Sequence, residues 1–146
     1  MKVRPVHRQL SCHAMKVIGI EFAASAMNYV VLERDAGGNL SVLASNRLSL
    51  SDTRSPEALR AFQQAFQTIV KDVSPSRIAI KAKPEKGSMK AGPAALKMEA
   101  LALAAAPCKV QFVSGARINK CGAPQTPLNA YHHPAFKAAS CAAEDE

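Results

Sequence analysis

The chain has 146 residues, of which 48% are hydrophobic and 21% are charged, a balance typical of a globular domain and not of a disordered segment. Nineteen lysines and arginines against eleven acidic residues give a net charge of +8, which is compatible both with polyanionic partners such as DNA or RNA and with a merely solvated basic surface. Lys97 and Glu99 interrupt the most apolar stretch before it reaches the roughly 18 residues of a membrane span, so we expect no membrane partner.

The four cysteines are Cys12, Cys108, Cys121 and Cys141, which are widely spaced and include no Cys-x-x-Cys pair. This spacing does not match that of structural zinc ligands, so we expect no metal site built from them. The N-terminus also has no apolar segment of the signal-peptide type. We therefore expect a cytoplasmic protein with reduced thiols.

The first fourteen residues mix Arg, His, Pro and Ser without periodicity, and Met15-Lys16-Val17 then repeats the opening Met1-Lys2-Val3. Two interpretations remain open, a basic arm that lies on a phosphate backbone and an unstructured extension ahead of a domain that starts at Met15. Short polar termini are usually disordered. We therefore favour a disordered basic extension over residues 1–14 and a single domain over residues 15–146.

Three strands open this domain. Residues 16–22 form a near-continuous apolar run, as a strand buried on both faces requires. Residues 28–34 are rich in β-branched and aromatic residues and predict a second strand. Asp35-Ala36-Gly37-Gly38 predicts a tight turn, because glycines adopt the positive φ values that hairpin turns need. Residues 40–45 then predict a third strand.

A helix and a fourth strand follow. Ser55-Pro56-Glu57 is a strong helix start, with a serine cap and a proline at the first helical position, and the apolar spacing continues to Val73. Pro75 ends this segment, and residues 77–82 predict strand four. A helix between two strands predicts a right-handed crossover, which places strand four parallel to one of the first three strands.

The remainder is less regular. Pro93 opens a helix that extends to Ala104, and residues 109–113 predict strand five. Residues 118–146 predict a poorly defined tail. It contains a loop over 123–134 with three prolines and a short C-terminal helix over 135–143.

This order of elements resembles the ribonuclease H-like superfamily, and Ile18-Gly19-Ile20-Glu21 resembles the first strand of the RuvC-like Holliday-junction resolvases. The resemblance implies an α/β fold, a five-stranded mixed sheet of order 3-2-1-4-5 with flanking helices. The chain is also similar to an uncharacterised bacterial family with a Lys-Val-Ile-Gly-Ile-Glu opening, Lys83-Pro84-x-Lys86-Gly87 and Lys97-Met98-Glu99-Ala100. An actin-like ATPase half-domain shares the strand order, but residues 22–27 lack the glycines of a phosphate-binding turn.

In this topology strands one and four are parallel neighbours, so Glu21 and Lys81 meet at the carboxyl edge of the sheet. The resemblance implies that active nucleases place one carboxylate on each of these strands, and more on the last helix, to hold two Mg²⁺ ions. Here Lys81 stands in the second position and the last helix offers Lys137. One carboxylate cannot hold two hard cations, so we favour a catalytically degenerate domain in which Glu21 pairs with Lys81.

Two further acids keep a nuclease alternative open. Glu85 follows strand four and Glu99 lies on the second helix, so either could join Glu21 as a catalytic group with Mg²⁺ or Mn²⁺. If catalysis is absent, no cofactor is expected.

A cluster of lysines follows strand four and leads into a helix. The cluster consists of Lys81, Lys83, Lys86 and Lys90, with Lys97 on the helix itself. Positive charge beside a helix N-terminus is typical of phosphate binding, although a solvated loop would have the same composition. The sequence therefore predicts a phosphate or nucleic-acid site here, with a protein-interaction module and a homodimer as open alternatives.

The aromatic residues mostly occupy apolar-periodic positions and are expected in the core. They are Phe22, Tyr29, Phe62, Phe66, Phe112, Tyr131 and Phe136. Without exposed aromatic rings on which bases could stack, nucleic-acid binding would depend on contacts to the phosphate backbone. Such binding has weak sequence specificity and strong salt dependence.

Overall fold

The computed structural model describes residues 14–84, 86–87, 90–125 and 127–145. Five strands form one mixed sheet of order β3-β2-β1-β4-β5, which confirms the predicted order. The strands are β1 (Met15–Ala23), β2 (Ala26–Arg34), β3 (Leu40–Ser49), β4 (Arg77–Lys81) and β5 (Lys109–Val113). The helices are α1 (Pro56–Val73), α2 (Pro93–Ala105), α3 (Gly115–Lys120) and α4 (His133–Glu144), and a 3₁₀ turn covers Ala130–His132. The predicted extension, residues 1–14, lies outside the described residues except for Ala14.

The first three strands form an antiparallel meander, and β4 and β5 add to β1 in parallel. The predicted turn joins β2 and β3, where the Asp35 carboxylate accepts hydrogen bonds from the backbone N–H groups of Gly37 and Asn39. β3 continues to Ser49, so the predicted end at residue 45 is wrong. β3 is an edge strand, and its polar residues Asn46 and Arg47 are exposed.

One face of the sheet packs against α1 and α2. The Ser55 hydroxyl caps α1 by accepting a hydrogen bond of 3.1 Å from the N–H of Ala58, as the helix-start pattern predicts. This apolar layer includes Ile18 and Ile20 of β1 together with Phe62 and Phe66 of α1, all at most 2% exposed. Burial of these large side chains is the main source of stability on this side.

The opposite face packs against α4 at very short range. A β carbon at Gly19 would collide with the carbonyl oxygen of Ala135 and lie 2.8 Å from the Ala139 β carbon. Gly19 pairs in register with Ala79 of β4, so two small residues make room for the helix, as the alternation of the strands predicts. The C-terminal helix, predicted over 135–143, is thereby held on the face that also carries Glu21.

The last turn of α4 is fixed by three arginines from different elements. Arg34 donates to the carbonyl of Ala143, Arg77 to that of Ala142, and Arg117 to that of Cys141. The last carbonyl groups of a helix lack the usual i+4 partners, and these arginines supply donors to three of them.

The prediction that all the cysteines are reduced thiols is wrong for two of them. Cys121, just after α3, and Cys141 in α4 form a disulfide, whereas Cys108 is a free thiol. The two bonded cysteines are 20 residues apart in the chain, and the packing of α3 on α4 brings them together.

Within the described part of the chain, no helix combines the length and the apolar character that crossing a membrane requires.

Candidate functional site

An open cavity of about 770 Å³ lies at the carboxyl ends of the parallel strands. Residues that end β1 and β4 line it together with the loop after β4 and the first turns of α2 and α3. They are Glu21, Ala24, Lys81, Ala82, Lys83, Pro84, Lys90, Ala91, Gly92, Ala95, Ser114 and Gly115. Open α/β sheets bind their ligands at this edge.

Glu21 and Lys81 meet inside this cavity. The Lys81 ammonium donates a hydrogen bond of 3.3 Å to a carboxylate oxygen of Glu21. The Glu21 side chain is 13% exposed and that of Lys81 is 27% exposed, so the pair is partly withdrawn from water. The register of β1 and β4 explains the contact. Ile20 pairs with Ile80, and Glu21 and Lys81 are the next residues of the two strands.

The ion pair is one part of a polar row that crosses four strands. Asn28 of β2 pairs in register with Glu21, and Arg47 of β3 pairs in register with Asn28. Side chains directly opposite each other on neighbouring strands point to the same face of a sheet. Arg47 Nε donates a hydrogen bond of 2.9 Å to the side-chain amide oxygen of Asn28. The Asn28 residue is only 2% exposed. The row therefore consists of Arg47, Asn28, Glu21 and Lys81.

The segment before α4 closes over the β3 end of this row. The Tyr131 ring lies against Arg47, whose guanidinium carbon is 4.4 Å from the ring centroid. The neighbouring His132 is buried, with Nε2 2.9 Å from the carbonyl oxygen of Asn46. Tyr131 is 43% exposed and Phe112 is 46% exposed, so the expectation of a core position is wrong for these two aromatics. The other five aromatics are buried.

The structure divides the predicted phosphate-binding lysines into two groups. Lys81, Lys83 and Lys90 line the cavity. Lys86 is exposed and is not among the lining residues, and Lys97 donates a hydrogen bond of 2.7 Å to the carbonyl oxygen of Thr53 near the start of α1. Of the lysines that the structure describes, three therefore form the basic part of the cavity.

Glu99 is not among the residues that line the cavity around the Glu21 carboxylate. It borders a small void of about 10 Å³ together with Phe22, Lys81 and Lys83. Phe22 points to the opposite face of β1 from Glu21. Glu85, the other predicted acid, lies outside the described residues. Among the residues that are described, no three His, Cys, Asp or Glu side chains come together as a metal site would require. Among the described residues that line the cavity, Glu21 is the one carboxylate, and it is in contact with the Lys81 ammonium.

A protein-family model described as "Protein of unknown function (DUF3010)" matches residues 15–142. The chain belongs to this family. The matched range extends from the first residue of β1 almost to the end of α4, so it contains the residues of both the cavity and the polar row. No curated protein sequence matches the chain.

Solved structures show what the fold of this DUF3010 protein resembles. Thermus thermophilus RuvC in complex with a Holliday junction substrate matches with a TM-score of 0.64 at 14% identity, covering 86% of this chain and 91% of that one. A second Thermus thermophilus RuvC structure gives a TM-score of 0.61 at 15% identity with the same coverage. The yeast mitochondrial Holliday junction resolvase Ydc2 gives 0.51 at 13% identity, covering 72% of this chain and 55% of that one. At these identities the similarity establishes the fold.

Proposed function

We propose that this DUF3010 protein binds the phosphate backbone of nucleic acid at the Glu21–Lys81 edge and does not cleave it. One observation carries the proposal. The Lys81 ammonium lies 3.3 Å from the Glu21 carboxylate, on the strand where the superfamily's nucleases hold their second acid. A cation there supports attraction of phosphate and opposes the assembly of a divalent metal pair.

The charges around the cavity favour an anionic ligand. Lys81, Lys83 and Lys90 bring three cations to its wall, whereas Glu21 is the only acid among the described residues that line it. The Glu21 charge is offset by its contact with Lys81, which leaves Lys83 and Lys90 for a ligand. Lysine ammonium groups are compact point charges, well suited to phosphate groups whose position varies.

We infer that the ligand is a nucleic acid from the shape of the site and the overall charge. The cavity is open, so a polymer that extends beyond it can enter, and the chain carries a net charge of +8. The resolvases with the same fold include one solved with a Holliday junction substrate, which makes DNA the first ligand to test. Contacts made mainly between lysine ammonium groups and phosphates imply weak sequence preference and steep salt dependence.

A binding experiment with a charge-matched control tests the proposal. Labelled four-way junction, duplex and single-stranded DNA, and the corresponding RNAs, are titrated with purified protein across a salt series, with and without Mn²⁺. Lys83→Ala combined with Lys90→Ala should lower the slope of log affinity against log salt by about two. Lys71→Ala combined with Lys109→Ala removes the same charge from exposed positions outside the cavity and should leave the affinity nearly unchanged.

Two outcomes would contradict the proposal. Mn²⁺-dependent cleavage that Glu21→Gln abolishes would establish a metal-dependent nuclease instead. Absence of binding to every substrate at low salt would eliminate the nucleic-acid function and favour a protein-interaction module.

A further inference from the structure

Arg47 is held more firmly than an exposed arginine usually is. Its Nε donates to the amide oxygen of Asn28 at 2.9 Å, and Asn28 is fixed by burial. The Tyr131 ring covers one face of the guanidinium at 4.4 Å, an arrangement that cation–π attraction stabilises. Two independent contacts therefore restrain this guanidinium.

These contacts leave the terminal edge of the guanidinium available. In the described part of the chain, Nη1 and Nη2 of Arg47 make no hydrogen bond and no ion pair, and the residue is exposed. The paired N–H groups of a guanidinium edge match two oxygens of one phosphate or carboxylate group. A guanidinium whose orientation is already set loses little side-chain entropy when such an anion binds.

The position of Arg47 relates this free edge to the cavity. Arg47 and Lys81 lie at opposite ends of the polar row, three strands apart on one face of the sheet. Neighbouring strands are about 4.8 Å apart, so the two residues are separated by roughly 14 Å along the row. A nucleic-acid strand that crosses the carboxyl edge of the sheet can reach both of them.

We propose that Arg47 is a second phosphate contact of this protein, held in place by Asn28 and Tyr131, for a nucleic-acid strand that extends from the cavity towards β3. The inference rests on the proposed nucleic-acid function. A carboxylate on a protein partner would fit the same guanidinium edge. The continuity of Arg47 with the cavity lysines and the net charge of +8 favour a polyanion.

The first test measures DNA affinity across a salt series. Arg47→Ala should weaken binding about tenfold and lower the salt slope by about one, whereas Arg47→Lys should keep most of the slope and recover only part of the affinity. Arg60→Ala is the control, because Arg60 is an exposed arginine of α1 on the other face of the sheet. If Arg47→Ala and Arg60→Ala have the same small effect while Lys83→Ala with Lys90→Ala abolishes binding, the inference fails and the proposed function stands.

The second test reads the Arg47 site directly with a probe that contains no base. The chain has two tyrosines and no tryptophan, so Tyr29→Phe leaves Tyr131 as the only strong fluorophore. Inorganic polyphosphate should change the Tyr131 emission in the Tyr29→Phe protein but not when Arg47→Ala is added. An equal response in both proteins, or no response in either, would overturn the inference. This fluorescence measurement tests phosphate binding at Arg47 separately from the proposed function, because it gives a result even if no DNA binds.

Discussion

The backbone of Gly19 in β1 lies against the carbonyl oxygen of Ala135 in α4, with no space for a β carbon between them. We expect Gly19→Ala to destabilise the protein by about 3 kcal/mol, because the helix backbone would have to move away from the sheet. Gly115→Ala is the control, since a β carbon there meets nothing within 4 Å and alanine is favourable in a helix. Urea unfolding of the two variants measures the difference, and equal stabilities would show that α4 does not pack in this way.

The Glu21–Lys81 pair should behave as a coupled unit. Glu21→Leu or Lys81→Met alone leaves one partly withdrawn charge without its partner, which we expect to cost about 1–2 kcal/mol. The double substitution removes both charges and should cost less than the sum of the two single changes. A double-mutant cycle from urea unfolding gives the coupling energy. Additive effects would show that the two groups do not interact in solution.

The disulfide predicts both a thiol count and a stability difference. Unfolded but unreduced protein should show two reactive thiols, from Cys12 and Cys108, and reduced protein should show four. Cys121→Ala should lower the free energy of unfolding by about 3 kcal/mol, because the link closes a loop of 20 residues. Cys108→Ala is the control, because Cys108 is not part of a disulfide and its substitution leaves the Cys121–Cys141 bond in place. Four reactive thiols before reduction would contradict the assignment.

The contact between α3 and the end of α4 predicts a pH dependence. Hydrogen bonds of 3.0 Å from the Arg117 guanidinium hold the pKa of the Asp145 carboxyl below its ordinary value, and a hydrogen bond from Gln111 acts in the same direction. A lowered pKa stabilises the folded state fully above the unfolded-state pKa of about 3.9, and this stabilisation is lost as the pH falls through the folded-state value.

Asp145→Asn should therefore be slightly less stable than the parent protein at neutral pH, and this deficit should shrink when the pH is lowered to about 2. Urea unfolding at both pH values measures this difference. A deficit that is unchanged in acid would show that the charge of Asp145 is not responsible.

Local signals predict the strands and a parallel crossover, and the resemblance to the ribonuclease H-like superfamily adds the strand order, from which the ion pair follows. The apolar runs that contain Ile18 and Ile80 mark the buried central strands, and the helix start at Ser55 forces a crossover between them. Once β1 and β4 are parallel neighbours, period-two alternation places Glu21 and Lys81 on one face.

The Arg47 half of the polar row could not be predicted in the same way. Asn46 and Arg47 break the apolar pattern, although Leu48, which packs against the core, and the buried Leu50 continue a spacing of two that indicates a longer strand. Tyr131 lies in a segment with three prolines and no periodicity, so its place beside Arg47 depends on long-range packing alone. The cysteine spacing likewise contains no signal for the disulfide, which depends on how α3 packs against α4.

The three arginines at the end of α4 also affect the electric field of the molecule. A helix carries about half a positive charge at its N-terminus and half a negative charge at its C-terminus, and the guanidinium groups of Arg34, Arg77 and Arg117 offset the negative pole. Ala135 lies over Gly19 while Ala142 contacts Arg77, so the helix runs antiparallel to β1 and its positive pole is directed towards the Glu21 edge. The potential at that edge is therefore more positive than a count of its side chains indicates, which would speed the approach of an anionic polymer before any contact forms.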